Sequence, residues 1–256
     1  MMNKYETIKN WEDHWDRMGN NKSSLNQVNR DNESSISDAN YIKKILKINK
    51  TDLIADFCCG NGLITSKTAF NCKNITGIDF SKNLIKSAID KTKKQKNCKF
   101  IVGDITRTNL PSHKFDKIYC LTSFHYFPDM KYVKKVLEEM LRISKPQGKI
   151  LITDIPNKNT LGYKIWKLIR NPDPDKIPAM EELRPSESFY KRIVQRVKLL
   201  FRRFTNKKVE SDNWTWFTQS GFKNLKLDNV DKIEILPSFT PKKILNYRFN
   251  VLITTK

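Results

Sequence analysis

The heptapeptide DFCCGNG, residues 56–62, sets two cysteines beside two glycines at the end of the apolar run LIADF. Two chemistries compete for it: a thiol site for metal or redox work, and a glycine turn that holds a ligand against its backbone. The five cysteines, at 58, 59, 72, 98 and 120, show no CxxC spacing. A tetrahedral zinc site needs ligands spaced so that the tetrahedron can close, and the adjacent Cys58 and Cys59 point in divergent directions. The cysteines therefore read as small packing residues, and no metal is expected. Gly60 and Gly62, with Asn61 between them, form a tight strand-to-helix turn whose backbone can approach a ligand closely.

Outward from that turn, short strands alternate with helices. DLIADF (52–57), KNITGIDF (73–80), CKFIVGD (98–104), FDKIYCLTS (115–123) and GKILITDIP (148–156) read as strands. Between them, LITSKTAFN (63–71) reads as helical. SKNLIKSAIDKTKKQ carries Leu84, Ile85, Ala88 and Ile89 on one helical face. A later helix repeats Val133, Val136, Leu137, Met140 and Leu141 at spacings of three and four. Strands and helices in this alternation predict a parallel sheet covered on both faces, a three-layer αβα sandwich.

The whole chain agrees with a globular protein. At 256 residues, 38% hydrophobic and 29% charged, it has material for a buried core and lacks the composition of a disordered chain. No apolar stretch approaches the roughly 18–20 residues of a membrane-spanning helix. The N-terminus carries acidic residues and no continuous apolar core, unlike a secretory signal, and the odd cysteine count fits a reducing compartment. The expected location is the cytoplasm. The formal net charge of +21 is spread along the chain, so only local clustering bears on nucleic acid or anionic membrane as partners.

Asp56, Asp79, Asp104 and Asp154 all fall at expected strand ends, where open α/β sheets bind their ligands. A dinucleotide fingerprint would need a third glycine three positions after Gly62, and Thr65 stands there. What remains is Asp-x-x-x-Gly-x-Gly with a second acid about twenty residues on. Asp79 is placed to accept hydrogen bonds from ribose hydroxyls. Asp56 offers a negative charge to a ligand's ammonium group.

These residues resemble the class I S-adenosylmethionine-dependent methyltransferases. LIADFCCGNGLIT is similar to their first motif, ITGIDFS to the second and VGDIT to the third. FDKIYCLTSFHYFPD resembles the fourth-strand motif, and VLEEMLRISKPQGKILITDIP the helix and strand after it. The resemblance implies a Rossmann-like seven-stranded sheet ordered 3-2-1-4-5-7-6 with its last strand antiparallel. GFKNLKLDNV (221–230) and YRFNVLITTK (247–256) are expected to supply the two remaining strands. It also implies S-adenosyl-L-methionine as cofactor. Asp56, Gly60, Asn61 and Gly62 would border its methionine part, Asp79 would hold the ribose, and Phe80 would lie against the adenine. Asp104 and the backbone of Ile105 would meet the adenine edge, with Leu121 beside the methionine end.

Methyl transfer to a hydroxyl or protonated amine also needs a base near the methyl group. His125, in SFHYFPD, is the first candidate because its ordinary pKa lies near neutrality, and a purely packing role competes with it. Asp154 is the second. The asparagine-proline-aromatic signature of adenine and glutamine methyltransferases is absent.

The additions should select the acceptor. Residues 1–37 resemble a lid segment, with Trp11 and Trp15 on one face if helical, and Tyr126 joins them as an acceptor-binding candidate. Residues 38–256 form the expected methyltransferase domain, with an insertion at 157–212. Within that insertion, residues 191–208 hold eight basic residues and no acidic one. The basic helix of 188–208 has three readings: a cap on the active site, a peripheral contact with anionic membrane, or an RNA grip. A weaker similarity, to small methyltransferases of bacterial surface-polysaccharide synthesis, favours a small-molecule or glycan-type acceptor, lipid-linked in one version. An RNA methyltransferase and a non-catalytic cofactor-binding relative are the alternatives.

Overall fold

The structure is a computed structural model that describes residues 11, 13–17, 32–160, 215–238 and 248–256. The basic segment 188–208 and nearly all of the 157–212 insertion lie outside the described residues. The elements are α1 (Asn32–Leu46), β1 (Leu53–Phe57), α2 (Leu63–Ala69), β2 (Asn74–Asp79), α3 (Lys82–Lys91), β3 (Cys98–Val102), β4 (Phe115–Leu121), α4 (Met130–Ile143), β5 (Ser144–Pro156), α5 (Gln219–Lys223), β6 (Val230–Pro237) and β7 (Arg248–Thr255). A short 3-10 turn, Phe124–Tyr126, follows β4. Trp11 and residues 13–17 are also helical.

The sheet has seven strands in the order β3-β2-β1-β4-β5-β7-β6. β1 pairs in parallel with β2 and β4, and β7 runs antiparallel to both of its neighbours. Side chains alternate across each strand, which divides the core in two. Ile54, Ile75, Tyr119 and Leu151 join Ile42 and Leu46 of α1 on one face. Ala55, Phe57, Ile118, Ile150 and Ile152 join Val133, Val136, Leu137 and Met140 of α4 on the other. Central strands covered on both faces explain why LIADF is apolar at nearly every position.

The strand order and helix faces match the sequence reading, with two corrections. Residues 221–230 are not a strand: Thr218 caps α5 by accepting from the Gly221 N–H at 3.0 Å, and Asn224 and Asn229 belong to the turn that follows. The sixth strand is Val230–Pro237, where Ile233 and Ile235 pair with Ile253 and Val251 of β7. Helix α5 begins at Gln219, and Phe217 just before it bridges to Asn157. Ile89, expected on the buried face of α3, is 49% exposed, while Leu84, Ile85 and Ala88 are buried. Helix α1 spans residues 37 and 38, where the lid segment and the methyltransferase domain were expected to meet.

Candidate active site

The turn after β1 is built from three left-handed residues at alternate positions, Cys58 (φ 57°), Gly60 (φ 54°) and Gly62 (φ 72°). The two glycines are there for different reasons. A Cβ on Gly62 would lie 2.8 Å from Ala88 Cβ and 3.0 Å from the Phe100 ring, so this residue lets the turn pack onto α3 and β3. A Cβ on Gly60 would meet nothing within 4 Å; this glycine faces open space. Gly62→Ala combines backbone strain with overpacking, each costing about 1–3 kcal/mol. We expect a melting temperature lower by roughly 5–15 °C for a domain of this size, and a change under two degrees in a thermal melt would refute this account.

The Cys58 thiol is pushed well up by its hydrogen bond with Cys120 and by burial, and the Cys59 thiol by burial.

Two carboxylates meet beside the turn. Asp79 Oδ2 accepts the Gly60 N–H at 2.9 Å, and Oδ1 accepts the Ser81 N–H at 3.0 Å. The acid at the end of β2 thus fixes both the glycine turn and the entry to α3. Burial pushes its pKa upward against these backbone hydrogen bonds. Asp56, 3% exposed, accepts from Thr65 Oγ1 at 2.6 Å and from Tyr119 Oη at 2.9 Å, both on Oδ2. Burial raises its carboxyl from 3.8 to about 7, the Asp79 charge adds to the rise, and the Thr65 and Tyr119 hydrogen bonds oppose it. No Lys or Arg among the described residues contributes a compensating charge to either acid.

That pair has a thermodynamic consequence. A carboxyl whose pKa is higher folded than unfolded costs stability that accrues as pH rises between the two values, here from about 4 to about 7. The full rise corresponds to about 4 kcal/mol. Asp56→Asn should therefore melt higher than wild type at pH 8 without ligand, with the advantage vanishing near pH 4. Melting curves across that range check it; a constant difference at all pH values would show that Asp56 is not the titrating group.

The remaining predicted residues fall into two sets. Phe80 follows Asp79 directly and is half-buried, and Leu121 ends β4 against the α1-side core. Ile105 is buried and Asp104 exposed, with its Oδ1 accepting from Thr106 N–H and Oγ1 at 2.7 and 2.8 Å. His125 is 1% exposed, its ring centroid 4.0 Å from that of Tyr126. Trp11 and Trp15 both pack on Tyr126, at centroid distances of 4.5 and 5.4 Å. Asp16, on the same helical segment, accepts from Ser81 Oγ at 2.8 Å. That segment bridges the end of β4 to the start of α3, over the strand ends that carry the acids.

Asp154 stands apart. It sits in a bulge of β5 with φ 64°, and its Oδ2 lies 2.9 Å from Arg248 Nη1, both side chains largely buried. A carboxylate paired with a guanidinium is a weak base, so of the two proton acceptors proposed from sequence, Asp154 is held by a cation. Tyr119 and Arg248 were not found by sequence reasoning. A tyrosine inside the apolar run FDKIYCL was the available signal for the first, since a buried phenol needs a hydrogen-bond partner.

The fold is an open Rossmann-like sheet with Asp56 and Asp79 at the carboxyl ends of β1 and β2, the edge at which open α/β sheets bind their ligands. Residues 55–152 match the family model described as a methyltransferase domain. This stretch is thus similar to methyltransferase domains, in line with the resemblance to the class I S-adenosylmethionine-dependent methyltransferases drawn from its motifs. A demethylmenaquinone methyltransferase of Listeria welshimeri is 28% identical over 126 residues, which cover 47% of this chain and 52% of that one. The match thus spans about half the length of that relative. Among solved structures, the N-methyltransferase NodS of Bradyrhizobium japonicum, in complex with S-adenosyl-l-homocysteine, superposes with a TM-score of 0.60 at 13% identity, covering 95% and 97% of the two chains. The phosphoethanolamine N-methyltransferase 1 of Haemonchus contortus superposes with a TM-score of 0.64 at 13% identity, over 99% of this chain and 50% of that one. At these identities the superpositions speak to the fold.

Proposed function

We propose that the protein is a methyltransferase that uses S-adenosyl-L-methionine to methylate an oxygen or nitrogen of a small-molecule or glycan-type acceptor. One observation carries the cofactor reading. Two buried carboxylates share a site without a described cation, beside a glycine turn open to ligand. Such a pocket favours a ligand with a positive charge and hydroxyl groups, and repels the pyrophosphate of a nicotinamide dinucleotide. An adenosyl group joined to an amino acid fits both demands. Asp79 would take the ribose hydroxyls and Asp56 the ammonium end, with Gly60 and Gly62 along the methionine chain. Phe80, Asp104 and Ile105 would border the adenine.

The bound cofactor supplies a methyl group already activated by its sulfonium charge. What the protein adds is position and proton transfer. Trp11, Trp15 and Tyr126 wall the site where the acceptor enters and limit access of water. His125, beside Tyr126, takes the proton from the acceptor's oxygen or nitrogen. The relatives, a demethylmenaquinone methyltransferase and N-methyltransferases, support a small-molecule acceptor. A lipid-linked acceptor and peripheral docking on anionic membrane through residues 188–208 belong to the same proposal. Among the described residues no helix is long and apolar enough to cross a membrane.

The test is ligand-dependent stabilisation followed by transfer. S-adenosylmethionine should raise the melting temperature in proportion to its excess over the dissociation constant, and a nicotinamide dinucleotide should not. Labelled methyl should then pass to a small-molecule or glycan-precursor fraction of a lysate. Stabilisation by the dinucleotide alone would overturn the cofactor reading. Label entering RNA alone would replace the acceptor reading.

A further inference from the structure

Asp56 and Tyr119 are cross-strand neighbours, paired in register between β1 and β4. The phenol of Tyr119, wholly buried, donates to Asp56 Oδ2 at 2.9 Å, and the Thr65 hydroxyl of α2 donates to the same oxygen at 2.6 Å. Thr68, one turn further along α2, lies 3.4 Å from the phenol oxygen. Both bonds converge on one carboxylate oxygen from beneath, on the α1 and α2 face of the sheet. Asp56 Oδ1 carries no hydrogen bond among the described residues.

We propose that Tyr119, with Thr65, is a positioning residue that turns Oδ1 of Asp56 toward the ligand and keeps the carboxylate charged to meet an ammonium group. This rests on the cofactor reading above. The groups that face Asp56 are few. Asp79 on β2 raises its proton affinity, Cys59 in the turn interacts with it and stays protonated, and Tyr119 on β4 is itself pushed well up by burial. Tyr119 therefore remains a donor through the neutral range. Hydrogen bonds to a charged carboxylate favour the charged form, and these two donors are the described side chains that do so here.

The experiment is calorimetric titration of S-adenosylhomocysteine into wild type and Tyr119→Phe between pH 6 and pH 8. This product carries the same ammonium without the sulfonium, so no turnover intrudes. Removing one hydrogen bond to a charged group should move the Asp56 titration up by about one pH unit. The variant should then bind about ninefold more weakly than wild type at pH 6 and only about twofold more weakly at pH 8. Methylthioadenosine, which lacks the ammonium, should bind both proteins alike at each pH. Thr65→Val should behave as Tyr119→Phe does, and Thr65→Ser, which keeps the hydroxyl, should restore the wild-type profile. A loss of the same size at every pH, or one shared by methylthioadenosine, would mean that Tyr119 only packs, and would overturn the proposal. If Tyr119→Phe melts far below wild type, the Thr65 pair decides the question. Wild-type protein that binds neither nucleoside would instead overturn the cofactor reading itself.

Discussion

His125→Ala is expected to lower methyl-transfer turnover by roughly two to four orders of magnitude, with S-adenosylmethionine affinity changed by less than about threefold. The ring lies in the 3-10 turn after β4, buried against Tyr126, which also carries Trp11 and Trp15. Its place in the turn after β4 beside Tyr126, rather than in the glycine turn, is why the two parameters should separate. Truncation also leaves a cavity under Tyr126, so His125→Asn is the necessary companion: it keeps a polar side chain there and cannot act as a base near neutrality. Both variants should be slow. If His125→Asn turns over within about fivefold of wild type, the histidine is a packing residue. The proton then leaves by another route, and Asp154, held by Arg248, is a poor second acceptor.

The largest effect on binding is expected at Asp79. Its two oxygens each hold a backbone N–H, of Gly60 and of Ser81, and a carboxylate still has lone pairs left for two ribose hydroxyls. Asp79→Ala removes acceptors from both sets at once, and each hydrogen bond to a charged group contributes about 1.5–3 kcal/mol. A loss of cofactor affinity of at least about a hundredfold follows, since at least two such bonds to ribose disappear. The orphaned N–H of Gly60 also loosens the glycine turn. Asp79→Asn should fall between wild type and alanine, because one acceptor oxygen remains. Titration calorimetry at pH 7.5 measures all three; equal affinities would remove Asp79 from the site.

The legible features share one property, which is that they are local. The strand–helix alternation, the Gly60–Gly62 turn and the apolar faces of α3 and α4 are written in periodicities a few residues long. So is the departure from a dinucleotide fingerprint at Thr65. Where reading failed, the pattern was local but ambiguous: GFKNLKLDNV and DKIEILP each alternate, and only pairing with β7 decides that the second is the strand.

The sequence by itself determined that this chain makes a parallel sheet covered on both faces, with a glycine turn and two acids at the carboxyl ends of its first two strands. Hydrophobic spacing and the stereochemistry of glycine suffice for that. Tertiary structure alone decided the state of those acids. The Tyr119 bond to Asp56 spans 63 residues and the Arg248 bond to Asp154 spans 94, both set by which strands become neighbours in the sheet. Of four acids that look alike in sequence, Asp56 and Asp79 share a buried site without a described cation, Asp154 is neutralised by a guanidinium, and Asp104 is exposed. Burial and the nearest charge set a carboxylate's chemistry, and both depend on the strand order more than on the residue's own name.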